Sequence, residues 1–333
     1  MKPLKVLFIG GTGIISSACS ALALAQGMQL VLLTRGKSSR PIPAGAQVLT
    51  GDINDPASAE EALRGHDFDV VVNWVAFTPD QIEADLRLFR GRVGQYVFIS
   101  SASAYQKPVA HLPITESTPL INPFWQYSRN KIACEERLQR AAREENFGIT
   151  IVRPSHTYDE TLVPYDVGWT LVERMRQGKE VVVHGDGTTR WVLTHHADFA
   201  KGFVGLLGNP LALGDTFHIT SDEALTWNQI IDILALAAGT TARIVHLPST
   251  LIARHDSGWG DSLLGDKAHS VCFDNSKIKR VVPGFVATIP FFVGAREIVA
   301  WHDADPSRRQ IDPAKDQLMD RLAAAYRSLH DHA

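Results

Sequence analysis

Three cysteines among 333 residues, Cys19, Cys134 and Cys272, are too few and too far apart for a disulfide framework or a zinc ribbon. No Asn-x-Ser/Thr acceptor, His-Glu-x-x-His or Cys-x-x-Cys occurs, so glycosylation and the familiar zinc patterns have no sequence support. Long apolar runs are missing too, and none reaches the roughly 18 residues of a membrane span. Met1-Lys2-Pro3-Leu4-Lys5 leads straight into a core-like strand, so a cleaved signal peptide is not expected. Charge of one sign is also lacking. The 33 Lys+Arg against 36 Asp+Glu leave −3, which provides no global field for nucleic acid or an anionic membrane. Together these absences predict a reduced, cytoplasmic protein with no membrane partner. What is present is 45% hydrophobic residues, enough for a sizeable core in two lobes or one large α/β unit with an appended lobe.

Buried-strand patterns alternate with helical ones through the first half. Leu4–Ile9, Leu30–Leu33, Ala46–Leu49, Val70–Val75, Tyr96–Ile99 and Thr150–Val152 read as strands. Ile14–Gln26, Pro56–Arg64, Gln81–Arg90 and Trp125–Glu145 read as helices. This alternation implies an α/β Rossmann-type fold, a doubly wound parallel sheet with a smaller C-terminal substrate lobe. The expected dinucleotide-binding domain is residues 1–153 with parts of 180–222. The substrate lobe is 154–179 and 223–310, and a C-terminal helix occupies 311–333. Ala253–Ser270, with three Gly and three Asp, reads as a mobile loop and a possible lid. Leu318, Leu322, Ala325, Tyr326 and Leu329 form one helical stripe, expected to pack on its own domain.

Three signals carry chemistry. Gly10-Gly11-Thr12-Gly13-Ile14-Ile15-Ser16 joins the first strand to an Ala-rich helix, where glycines admit a pyrophosphate and the helix start favours its charge. Ser16 stands at the third glycine position. After the second strand, Leu33-Thr34-Arg35-Gly36-Lys37 holds no carboxylate for a ribose 2′-hydroxyl. Arg35, helped by Lys37 or Arg40, therefore leans the cofactor from NAD toward NADP, against a plain reading as solvated cations. Asp52 of Gly51-Asp52-Ile53 could face an adenine, whereas Asn54 and Asp55 are better placed to cap the next helix. Finally, Tyr127 and Lys131 of Tyr127-Ser128-Arg129-Asn130-Lys131 share one helix face, and an ammonium near a phenol would lower its pKa. Ser100-Ser101-Ala102-Ser103-Ala104-Tyr105 closes the fifth strand, at the edge where parallel sheets bind ligands.

In this order and spacing, continued by Arg153-Pro154 and by Gly185-Asp186-Gly187-Thr188-Thr189-Arg190, the chain resembles extended short-chain dehydrogenases/reductases. The likeness spans about residues 4–200, and more loosely Asp274-Asn275-Ser276-Lys277. It is to the NAD-dependent epimerase/dehydratase branch, with a lean toward atypical members such as relatives of chloroplast stem-loop-binding proteins. The resemblance implies Tyr127 as general base, Lys131 as its activator and ribose ligand, and Ser101 as partner of the reacting oxygen. It implies a cofactor side of Gly10, Thr12, Gly13, Ile14, Ile15, Arg35, Asp52, Ile53 and Asn73, and a substrate side of Ser103, His156 and Arg190. A homodimer is a further expectation of the family. Several positions depart from its pattern. Asn73 stands where His is common, His156 replaces Asn, and Tyr158-Asp159-Glu160 replaces Tyr-Gly-Pro. Ala102 and Ser103 occupy the places where 4,6-dehydratases carry Asp-Glu, which disfavours dehydration.

The expected activity is nicotinamide-dependent oxidation, reduction or epimerisation at a sugar or nucleotide-sugar hydroxyl. The alternatives are an NADP-dependent carbonyl reductase of a small substrate, or a non-catalytic nucleotide- or RNA-binding protein. His195, His196 and Asp198 are read as capping and packing groups and no metal is assigned. Cys19 and Cys134 are read as small buried hydrophobes. The aromatics near Phe124-Trp125 are read as core before substrate platform.

Overall fold

The computed structural model describes residues 2–330, with side chains through residue 327. Six strands follow the sequence pattern closely: β1 (Lys5–Ile9), β2 (Gln29–Thr34), β3 (Gln47–Thr50), β4 (Val70–Asn73), β5 (Gln95–Ile99) and β6 (Ile149–Pro154). A seventh, Asp215–Ile219, pairs with β6. All pairings are parallel, in the order Asp215–Ile219, β6, β5, β4, β1, β2, β3. The order reverses between β1 and β4, which opens a crevice at the carboxyl ends of those strands.

Helices cover both faces, because strands buried on two sides need apolar cover on both. On one face α1 (Ile14–Ala25) and α6 (His196–Val204) pack through Cys19, Ala23, Phe199 and Phe203. On the other lie α2 (Pro56–Leu63), α3 (Pro79–Phe89) and α4 (Gln126–Glu145), with Leu63, Ile82, Leu86, Cys134 and Leu138 in the core. Local chemistry sets several boundaries. Asp55 caps α2 by accepting from Ala57 N (3.1 Å) and Ser58 N (3.3 Å). Helix α3 starts at Pro79, earlier than periodicity suggests, because Thr78 and Gln81 form a capping box. Strand β4 stops at Asn73, where the pattern runs to Val75, because Asn73 Oδ1 takes the Val75 amide at 2.8 Å and turns the chain.

A third cluster gathers the later residues, with α5 (Trp169–Arg176), Trp191, Trp227, Leu234, Trp259 and Ile298 at its heart. The C-terminal stripe joins it through Leu318, Leu322 and Tyr326, with Met319 beside them, so it packs on its own chain; the Leu329 side chain lies outside the described residues. The expectation of a mobile loop over Ala253–Ser270 is overturned. The segment is helical over Ser249–His255 and Ser257–Ser262 and passes into a π-turn at Leu263–Lys267. Trp259 anchors it, 2% exposed and edge-on to Tyr165. Asp256 accepts from Trp259 N at 2.9 Å, and Ser262 Oγ donates to Asp166 at 2.7 Å. A single buried indole and a capping carboxylate thus outweigh a glycine-rich composition.

Helix α4 is tied to the sheet by charge. Glu135 is fully buried and accepts from Arg153 Nε at 2.9 Å and Arg153 Nη2 at 2.5 Å, with Ser100 Oγ as a further donor. This network joins α4 to the carboxyl ends of β5 and β6. Glu135→Gln leaves Arg153 as an unpaired buried cation, so unfolding stability is expected to fall by about 3–5 kcal/mol in urea titration. A loss below about 0.5 kcal/mol would show that the pair does not hold this junction.

Candidate active site

Two cavities open along the crevice. The first, about 270 Å³, lies at the ends of β1, β2 and β3 and is lined by Gly10, Thr12, Arg35, Lys37, Asp52 and Ile53 among others. Gly10 and Gly11 have φ of +100° and +92°, and a Cβ on Gly11 would come within 2.7 Å of Leu32. The turn therefore requires glycine on both conformational and steric grounds. Gly13 is the N-cap of α1, and its amide donates to Ser16 Oγ at 2.7 Å. Ser16 is buried, so the small hydroxyl at the third glycine position allows the close packing expected of it. Ile14 and Ile15 open the helix, whose first turn contains no acidic residue. By helix geometry its leading amides project toward the crevice. Positive-φ glycines, an acid-free helix start and an adjoining cationic rim fit a dinucleotide running from Arg35 past the turn.

Arg35 is more than half exposed at that rim, 3.9 Å from the Asp52 carboxylate. Arg40 is placed elsewhere and is corrected as a helper of Arg35. Its guanidinium donates to Asp159 Oδ2 and Thr161 Oγ1, both at 2.5 Å. Asn73 is also spent internally, since its amide nitrogen donates to buried Asp85 (2.6 Å) while its oxygen holds Val75 N. Burial lifts the Asp85 carboxyl to about 6 even though Tyr96 and Asn73 donate to it. What Asn73 contributes to the crevice is the position of the backbone beyond β4.

The second cavity, about 290 Å³, lies at the ends of β5 and β6 and takes Ser101, Ser103, Tyr127 and His156 into its wall. Tyr127 and Ser101 share this wall, and the Ser101 hydroxyl is close enough to favour the ionised phenol. Ser101 Oγ in turn lies 2.9 Å from Ser103 Oγ, which accepts from Ser128 Oγ at 2.8 Å. Lys131, one turn along α4, is 2% exposed and donates to Ala76 O and Ile99 O, both at 2.7 Å. Its ammonium sits 5.8 Å from the centre of the Tyr127 ring. Burial brings its pKa down to about 8. The expected lowering of the Tyr127 pKa is absent. Burial raises it, and the nearby Ser101 hydroxyl offsets that only partly while the Asp266 charge adds to it.

His156 lies on a short strand paired with Leu193–His195, and its Nδ1 accepts from Trp191 Nε1 at 3.1 Å. Burial, assisted by the Lys267 charge, drops its pKa to about 3, so the imidazole is neutral near pH 7. Arg190 is not brought into this group: it is exposed, and the wall here is formed by its neighbour Trp191. His195 caps α6 by accepting from Ala197 N, and Asp198 accepts from Thr288 N and Ile289 N. Both are thereby engaged in structure.

Several lining groups escape sequence reading. Trp125, taken for core, faces the cavity with its ring centre 4.9 Å from that of Tyr127. Asp266 and Lys267 arrive on the π-turn, more than 100 residues beyond Tyr127, with no local motif to announce them. Buried Lys107 holds Asp266 at 3.0 Å from behind. Asn122 links the two halves of the wall, donating to Ser103 O (2.8 Å) and Gly265 O (2.7 Å). Glu135, behind the wall, had a legible signal, because it lies four residues beyond Lys131 on the same face of α4.

Comparison with known proteins bears on the fold and the family. Over 256 residues the chain is 27% identical to the chloroplast stem-loop binding protein of 41 kDa b of Arabidopsis thaliana, covering 73% of this chain and 65% of that one. The chain thus spans a little under two thirds of that relative's length. It is 24% identical to the 2′-dehydrokanamycin reductase of Streptomyces kanamyceticus, covering 85% of this chain and 80% of the other. Among solved structures, an epimerase from Methanothermobacter thermautotrophicus superposes with a TM-score of 0.75 at 16% identity, covering 92% and 94% of the two chains. At that identity the likeness speaks for the fold. Residues 6–219 match the family's sequence profile, and the chain belongs to the NAD dependent epimerase/dehydratase family.

Proposed function

We propose that this protein oxidises or reduces a hydroxyl-bearing carbon of a sugar or nucleotide sugar with a nicotinamide cofactor, through Tyr127, Ser101 and Lys131. The observation that carries the reading is that Tyr127 and Ser101 share the wall of the second cavity, with Lys131 one helical turn behind. A nicotinamide dinucleotide, held by the Gly10–Ile15 turn and by Arg35, Asp52 and Ile53, would supply hydride transfer. The chain's own residues handle the proton. Ser101, braced by Ser103, hydrogen-bonds the reacting oxygen, and Tyr127 gives that oxygen a proton or takes one from it. Lys131 keeps positive charge beside the phenol, although most of its hydrogen bonding goes to Ala76 O and Ile99 O. In an epimerase, Tyr127 would first accept and then return the proton at one oxygen. Trp125 and Trp191 suit the flat face of a sugar ring, and Asp266 and Lys267 suit its hydroxyls.

A second reading, an NADP-dependent carbonyl reductase with exchangeable cofactor, is favoured by the raised Tyr127 pKa, since a protonated phenol is ready to donate. The reductase among the relatives points the same way. So does the Arg35–Lys37 rim for the cofactor choice.

Nucleotide released on denaturing freshly purified protein separates the two: near-stoichiometric NAD(H) or NADP(H) supports the epimerase, and an empty protein that binds NADPH supports the reductase. Tyr127→Phe is expected to lower kcat by about 10²–10⁴-fold. Assays run with UDP-glucose, UDP-galactose and a panel of sugar ketones, and cofactor affinity should stay within about threefold; full turnover would refute the assignment. Wild-type turnover should fall as pH rises through about 8, where Lys131 loses its charge, and hold below it. Arg35→Ala should weaken NADPH binding about tenfold and NADH little, read by nicotinamide fluorescence. An equal loss for both nucleotides would remove the NADP preference.

A further inference from the structure

Asp159 stands at a departure from the family pattern, and the reactions above make no use of it. Its side chain is fully buried, yet it carries a full hydrogen-bond set. Arg40 Nη1 donates to Oδ2 at 2.5 Å, while Thr161 N (2.9 Å) and Thr161 Oγ1 (2.6 Å) donate to Oδ1. Arg40 Nη2 also reaches Thr161 Oγ1 at 2.5 Å, so one guanidinium grips two residues of the opposite loop. Burial alone would raise the Asp159 pKa, but the Arg40 and Thr161 hydrogen bonds outweigh it and hold the carboxyl below its usual range.

The connection is long in space as well as in sequence. Arg40 belongs to the segment after β2, and Asp159 follows β6 and the short strand His156–Tyr158. In the sheet, β2 and β6 are separated by β1, β4 and β5, four strand spacings or roughly 19 Å. No arginine side chain covers that, so both segments must run inward over the carboxyl ends where they meet. Each end of the bridge also adjoins one of the two cavities. Lys37 and Ser38 line the first, and Ser155 and His156 line the second. Beside the bridge, Glu160 lies 3.9 Å from His196, whose Nδ1 is 3.2 Å from Ile14 O at the start of α1. The bridge therefore sits next to the glycine turn.

We propose that Arg40, Asp159 and Thr161 form a clasp across the crevice, closing over a bound nicotinamide dinucleotide and opening to let it exchange. The proposal rests on the cofactor reading above and adds to it a pair of positioning residues that set residence time. The closed state is strongly favoured, because opening leaves the buried Asp159 carboxylate without its cation. Arg40 thus acts through Asp159 and makes no claim on a 2′-phosphate.

The test is stopped-flow nicotinamide fluorescence with the full chain and NADH or NADPH, using displacement by excess oxidised nucleotide to read dissociation. In Arg40→Ala, dissociation should accelerate about 10- to 100-fold, the strength of a charge-assisted pair. Association should rise with it, because a gate slows both directions. Arg40→Lys should recover part of the slow release, and Thr161→Val should shift both rates in the same direction as Arg40→Ala but less. If Arg40→Ala fails to fold, as read by circular dichroism, Thr161→Val and Arg40→Lys decide alone. Unchanged rates in folded variants that still bind nucleotide overturn the clasp and leave the cofactor reading standing. Wild-type protein that binds neither nucleotide overturns both.

Discussion

Everything at this crevice depends on one buried charged face of α4. Lys131 and Glu135, four residues apart, both turn into the protein, and each finds its partners at strand ends. Lys131 holds the carbonyls of Ala76 and Ile99, while Glu135 holds Arg153 and Ser100. Burying charge is costly unless every partner is supplied, and here the partners are the carboxyl ends of β4, β5 and β6. The helix can therefore dock in one register only. That register delivers Tyr127, one turn earlier, to Ser101. A looser, purely apolar contact would hold the helix but not its axial position.

The two ends of the crevice differ in their electrostatics. At the second cavity desolvation dominates: Tyr127 is pushed up, His156 and Lys131 down, each toward its neutral form. Such a site moves protons only where geometry and fixed dipoles assist, which gives weight to the Ser101–Ser103–Ser128 chain. At the first cavity Arg35 and Asp52 remain largely solvated, and their attraction is correspondingly weak. One end is built to shift proton affinities and the other to attract and orient charge.

Apart from Asn73 at the end of β4, departures from the family pattern fall where the architecture permits variation. The seven strands and the α1 turn are constrained on both faces by packing. The segments beyond the strand ends are free to vary, and His156, Asp159 and the Leu263–Lys267 π-turn all lie there. Family membership accordingly describes the shared scaffold and nicotinamide chemistry, while the pocket wall carries what is particular to this chain.

The sheet, its order of elements and the Gly10–Gly13 turn were legible because each is written in a short window: β-branched runs, glycines between strand and helix, a four-residue spacing on one helix. Capping chemistry refined the ends, as Thr78 and Asp55 illustrate. Misreadings arose where residues distant in sequence compete for the same group. Arg40 looked like a cofactor cation until Asp159 claimed it. Asn73 was expected on the cofactor side, but Asp85 and Val75 engage both ends of its amide. Ala253–Ser270 looked like a loop until Trp259 found a buried neighbour in Tyr165. By itself the sequence determined the scaffold, the shared helix face of Tyr127 and Lys131 and the strand-end position of Ser101, since local periodicity and strand-end position are encoded residue by residue. Tertiary structure alone decided the pocket wall, the pairing of every buried charge and the pKa directions, because these follow from which distant groups burial brings within hydrogen-bond reach.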